Sequence, residues 1–164
     1  MLLEDSLRAV EVVRRFEGGI VDVGSGGGAP GVPLAVALPE REVTLLEANR
    51  RKCDFLRRWA PPNAWVVEGR AEEQETDTYG VAVAKARAPP VVATEWCLPL
   101  VAPGGAAVLY VGPSADAVRV ARVAVKLAGR LVESPTGLLV LRKEGPTPPG
   151  FPRRPGIARK RPLL

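Results

Sequence analysis

The chain has 164 residues, 46% hydrophobic and 25% charged, with a formal net charge of +5, proportions that fit one core-forming domain and exclude a disordered chain. It contains no histidine, which excludes Ser-His-Asp and Cys-His nucleophile pairs, the HExxH zinc site and any imidazole base. Seven basic residues against one acid give residues 142–164 a net +6 and leave −1 on the other 141, so the basicity is expected in a C-terminal tail suited to a polyanion.

Leu3, Leu7, Val10, Val13 and Phe16 fall at helical spacing and predict one N-terminal amphipathic helix. Ile20, Val21 and Val23 predict a strand feeding the glycine loop Asp22-Val-Gly24-Ser-Gly26-Gly-Gly28. Val32 to Leu38 reads as a helix whose first turn accommodates Pro30 and Pro33, and Pro39 ends it. A second strand, Val43 to Leu46, ends at Glu47, and Asn49 caps a helix carrying Cys53, Phe55, Leu56 and Trp59 up to Pro61-Pro62. A third strand, Ala64 to Val67, runs into Glu68-Gly-Arg-Ala71-Glu72. A polar connection through Asp77 then leads to a fourth strand, Val81 to Ala84.

Beyond it the pattern predicts a helix from Val91 to Val101, a Pro103-Gly-Gly turn, and a fifth strand from Ala106 to Val111. A helix from Ala115 to Ala128 and strands at Arg130 to Glu133 and Gly137 to Leu141 follow. Alternating strands and helices predict an α/β fold with a mostly parallel sheet covered on both faces. The chain thus divides into a domain over 1–143 and a Pro/Arg-rich extended tail over 144–164, since six prolines exclude a helix interior or a central strand there. Cys53 and Cys97 are too few for a structural zinc site and are expected as buried thiols, with no metal. Glu4 and Asp5 stand where a signal peptide would be basic, and no apolar run reaches ~18 residues, so a cytoplasmic protein off the membrane is expected.

The chemistry concentrates at the carboxyl ends of the first three strands. Glycines let a ligand approach the main chain, and the following helix offers free N–H groups. Glu47 stands 21 residues after Gly26, where an acid in this architecture accepts hydrogen bonds from ribose hydroxyls, and Ala71-Glu72 adds a second acid on the same edge. A nucleoside cofactor site follows. The glycines also satisfy a dinucleotide fingerprint at Gly24, Gly26 and Ala29, but an early acid at Asp22 suits an amino group and a sulfonium better than a pyrophosphate.

The spacing Asp22-x-Gly24-x-Gly26-x-Gly28 resembles the first motif of class I S-adenosylmethionine-dependent methyltransferases. With Ala29-Pro-Gly31, Thr44-Leu-Leu-Glu47, Lys52, Phe55-Leu56, Gly69-Arg-Ala-Glu72 and Phe151-Pro-Arg-Arg-Pro-Gly156, the chain resembles the bacterial small-subunit ribosomal RNA methyltransferase G family over roughly residues 2–164. The resemblance implies a Rossmann-like, seven-stranded, mostly parallel sheet, S-adenosyl-L-methionine as cofactor, and methyl transfer to guanine N7 in 16S ribosomal RNA of the small subunit. It places Asp22, Gly24, Gly26, Gly28, Ala29, Glu47, Ala71, Glu72 and Lys85 around the cofactor, with Lys85 a candidate for positioning. Arg153, Arg154, Arg159, Lys160 and Arg161 are the expected RNA contacts.

The sequence departs from the family pattern at Leu2 to Leu7, where a histidine is missing, at Lys85 in Ala84-Lys-Ala86 in place of Arg, and at Val111 in place of Lys. The helical stretch ahead of the first motif is also short. A cofactor-binding relative without RNA methylation and a nucleotide-dependent oxidoreductase are the other readings.

Overall fold

The computed structural model describes residues 2–85 and 88–164. Ala86, which closes the Ala84-Lys-Ala86 segment, lies outside them. Among the described residues seven strands form one sheet: β1 (Ile20–Val23), β2 (Val43–Glu47), β3 (Ala64–Glu68), β4 (Tyr79–Lys85), β5 (Val101–Tyr110), β6 (Gly129–Glu133) and β7 (Leu138–Lys143). Their spatial order is β3-β2-β1-β4-β5-β7-β6, with β7 antiparallel to both neighbours and the other pairings parallel. The order reverses between β1 and β4, and ligands of open α/β sheets bind at the carboxyl ends of the strands beside such a reversal.

The helices are α1 (Leu2–Leu7), α2 (Val10–Arg14), α3 (Gly31–Ala37), α4 (Arg50–Trp59), α5 (Pro90–Cys97), α6 (Ala117–Lys126) and α7 (Ile157–Lys160). Central strands are apolar on both faces because each face carries a core. One core unites Ala9, Val13, Leu34 and Leu56, on the side of α2, α3 and α4, with Ile20, Leu45 and Val83; the other unites Val92, Cys97 and Val123 of α5 and α6 with Val21, Ala82 and Ala158. Asn49 caps α4 as its pattern predicts, its side chain accepting from the Lys52 amide at 3.1 Å.

Four expectations are corrected. The N-terminal helix is two short ones, because tertiary contacts bend the chain at Arg8-Ala9: Lys85 holds Asp5 at 2.7 Å, Tyr110 donates to the Ser6 carbonyl, and Leu3 stays exposed while Ala9 is buried. The helix after β4 ends at Cys97 and tightens into a 3₁₀ turn, Leu98–Leu100, since Pro99 lacks an amide to continue it. Pro103-Gly-Gly lies inside β5, where the register jumps from Tyr79↔Val101 to Val81↔Ala106. The tail is not wholly extended: α7 follows Gly156 at its N-cap, whose φ of +88° favours glycine, and buries Ala158.

The tail lies on the domain through three anchors. Fully buried Lys143 donates to Asp77 Oδ1 at 3.0 Å and to the Leu98 and Val101 carbonyls at 2.7 Å, and Thr147 adds its amide and hydroxyl to the same carboxylate. Burial lowers the Lys143 pKa against the pull of Asp77; burial raises that of Asp77, but its hydrogen bond and charge partner Lys143 leaves it below the usual range. Arg153 grips the buried Glu95 through two nitrogens, Nε at 2.7 Å. The Gly156 amide donates to Glu72 Oε2 at 2.9 Å.

Candidate functional site

A cavity of about 270 Å³ opens at the carboxyl ends of β1, β2, β3 and β4. Its apolar lining is built from small side chains, Ala48, Ala71, Ala84, Ala88 and Ala93, with Val23 and Leu46. Its polar lining is Glu47, Glu72, Lys52, Arg70, Lys85 and Arg159. Such a mostly apolar cleft with a few convergent polar groups is the usual form of a small-molecule site.

Glu47 is the most constrained of these. Its Oε1 accepts from the Gly26 amide at 2.8 Å and its Oε2 from the Asn49 amide at 2.7 Å, so one buried carboxylate ties the glycine loop to the start of α4. Each carboxylate oxygen has acceptor capacity beyond the one bond it takes, and Glu47 lines the cavity, which is what a ribose diol needs. Lys85 Nζ lies 2.7 Å from Asp5 Oδ2, and this hydrogen bond, against the effect of burial, holds the Asp5 carboxyl below its ordinary range. The lysine therefore reaches the cavity paired with an α1 carboxylate that it shares with Arg8, 3.3 Å from the other oxygen.

Of the expected site residues, Gly24, Glu47, Ala71, Glu72, Lys85 and Arg159 line the cavity, and Asp22, Gly26, Gly28 and Ala29 do not. Asp22 is fully buried behind the loop, where its Oδ2 accepts from the Gly31 amide at 2.9 Å. A Cβ at position 31 would lie 2.5 Å from that oxygen, so glycine is required there. Desolvation by burial raises the Asp22 pKa to about 7 despite the nearby Ser25 hydroxyl, which donates to the Asp22 main-chain carbonyl at 3.1 Å, and the hydrogen bond from Gly31; its Oδ1 is buried without a hydrogen-bond partner among the described residues. Several of the loop's donors are engaged within the chain: the Gly24 and Ser25 amides donate to the Leu46 carbonyl and the Gly28 amide to the Ser25 carbonyl. Few are left to cradle a phosphate.

Sequence reasoning missed Arg70, Trp96 and Gly156 as cavity residues. Arg70 was legible inside Gly69-Arg-Ala-Glu72. Trp96 carried no signal, because only the fold brings α5 against α7, where the Arg159 guanidinium sits 5.2 Å from the centre of its ring. Among the expected RNA contacts, Arg153 is tied to Glu95, whereas Arg154, Lys160 and Arg161 are exposed. Val111 packs against the core and is not part of the cavity lining. Both cysteines are buried thiols, and burial raises the pKa of each.

The family model described as rRNA small subunit methyltransferase G matches residues 1–133. A protein of that name from a Synechococcus strain is 36% identical, the match covering 98% of this chain and 72% of the relative. Another from Pelotomaculum thermopropionicum is 39% identical, covering 97% and 76%. Among solved structures, the T. thermophilus 16S rRNA N2 methyltransferase in complex with AdoMet and guanosine superposes with a TM-score of 0.66 at 20% identity, over 90% of this chain and 40% of that one. A SAM-dependent O-methyltransferase from Thermotoga maritima gives 0.65 at 18% identity, over 87% and 65%. These two likenesses concern the class I methyltransferase fold.

Proposed function

This chain belongs to the rRNA small subunit methyltransferase G family, and from that premise we propose that it transfers a methyl group from S-adenosylmethionine to N7 of a guanine in 16S ribosomal RNA. The observation that carries the reading is the cavity at the sheet reversal, with the Glu47 carboxylate on its wall and a lining of alanines beside it. The residues fit the cofactor: Glu47 suits the ribose hydroxyls, Ala71 and Glu72 the adenine end, and Gly24 with Lys85 the amino-acid end. The bound cofactor supplies an electrophilic sulfonium methyl group. Guanine N7 carries a free lone pair in the neutral base, so no residue has to remove a proton, and the chain's contribution is holding and orienting.

The exposed tail cations Arg154, Lys160 and Arg161 are proposed RNA contacts, and a cytoplasmic location goes with a ribosomal substrate. A dinucleotide is disfavoured because four amides of the glycine loop, those of Gly24, Ser25, Gly26 and Gly28, are already bonded to Leu46, Glu47 and Ser25, which leaves few for a pyrophosphate. The deciding experiment combines calorimetry with S-adenosylmethionine and transfer of labelled methyl groups to small subunits lacking the modification, followed by mapping of the methylated base. The expected result is binding with transfer to one guanine N7. Binding without transfer, or tighter binding of NAD(P), overturns the reading.

A further inference from the structure

Helix α4 reads Arg-Arg-Lys-Cys-Asp-Phe-Leu-Arg-Arg-Trp, five cations and one acid in ten residues. Cys53 and Leu56 face the core; Arg51, Phe55, Arg58 and Trp59 are all exposed, Phe55 by 50% and Trp59 by 68%. At 100° per residue, Arg51 and Arg58 fall at the outermost line of the helix, and Phe55, Trp59 and Lys52 share one flank. The single acid, Asp54, lies on the other flank and is already paired with Arg57 at 3.2 Å. Lys52, on the same flank, lines the cavity, so the aromatic flank starts within one helical turn of it.

We propose that this flank of α4 is a docking surface for single-stranded RNA, on which Phe55 and Trp59 stack unpaired bases while Arg51 and Arg58 hold phosphates. Two large aromatic rings left in water on one stripe call for a partner. The charge decides its nature: a helix of net +4 suits a polyanion and repels a second copy of itself. Aromatic faces interleaved with cations are the combination that binds single strands, since every base offers a ring face and every nucleotide a phosphate. The surface rests on the proposed function in that it would bring the strand carrying the target guanine to the cavity mouth. The exposed tail cations Arg154, Lys160 and Arg161 can hold phosphates as well, but α4 adds two exposed aromatic rings to its cations and so suits unpaired bases better.

The test uses the full chain and an unmodified 16S rRNA transcript, with affinities measured from 50 to 200 mM salt. Arg51→Gln with Arg58→Gln is expected to reduce the salt slope by about 1.4–1.8, two phosphate contacts' worth. Phe55→Ala with Trp59→Ala is expected to weaken binding about 5- to 150-fold per stacked base at unchanged slope. S-adenosylmethionine affinity and thermal midpoint should stay at wild-type values in both, because none of the four side chains lines the cavity or is buried. Wild-type RNA affinity and slope in both variants would overturn the proposal. So would a change in the sedimentation of the protein alone with RNA binding intact, which would make the face a protein interface. If the wild type transfers no methyl group yet the slope still falls, the function fails and the surface stands; if transfer is normal in both variants at limiting RNA, the surface fails and the function stands.

Discussion

Replacing Asp22 by asparagine should remove a pH dependence that the burial of this carboxyl builds into the fold. The group's pKa is raised from 3.8 to about 7, so the folded chain holds a proton that the unfolded chain releases. Stability from this group is therefore fully present below about pH 4 and is lost as pH rises toward 7, at about 1.4 kcal/mol per unit within that window. Between pH 4.5 and 7.5 the loss integrates to about 3 kcal/mol, or about 6–12 °C in thermal midpoint for a domain of this size. The substituted side chain would keep an oxygen for the Gly31 amide but does not titrate. Its own buried amide, next to the site of an unpartnered Oδ1, should cost about 1–3 kcal/mol at every pH. Urea denaturation of both proteins across pH 4.5 to 7.5 isolates the group, since other titrations cancel in the difference. The variant should gain on the wild type by about 3 kcal/mol over that range; parallel curves would refute the reasoning.

Lys143→Met leaves Asp77 and two buried carbonyls without their cation and should cost about 3–5 kcal/mol in chemical denaturation; a loss under about 1 kcal/mol would show that the cage contributes no net stability. Glu47→Ala should raise the S-adenosylmethionine dissociation constant at least about tenfold, the size of one lost charged hydrogen bond, in calorimetry. Because Glu47 also holds the Gly26 and Asn49 amides, the same variant should lose about 1–3 kcal/mol of stability, and an unchanged midpoint would contradict that role. Arg153→Ala leaves Glu95 buried and unpaired; it should cost about 2–3 kcal/mol and open the tail to limited proteolysis. Lys160→Ala, at an exposed position, should stay within about 0.5 kcal/mol by the same denaturation assay.

The order of the elements and the edge where the cavity lies were legible in local patterns. Short continuous apolar runs, the glycine loop and the acid 21 residues beyond Gly26 are such patterns, and each survives whatever the rest of the chain does. Asn49 as a cap and Glu47 at a strand end could be read for that reason. What each charge faces was settled by folding. Asp22, a motif residue, turned out to bond the start of α3 from behind the loop, because the strand's alternation points it away from the cavity and only the approach of Gly31 supplies its donor.

Charge summed along the chain located the surplus in the tail, but a sum cannot see pairing. Folding ties Arg153 to Glu95 and buries Lys143, while α4, whose net +4 was hidden by acids elsewhere in residues 1–141, turns its cations and two aromatic rings to solvent. The reason is physical: secondary structure follows from spacing of a few residues, whereas the neutralisation and exposure of a side chain depend on groups tens of residues away, which only the closed fold brings within hydrogen-bond range.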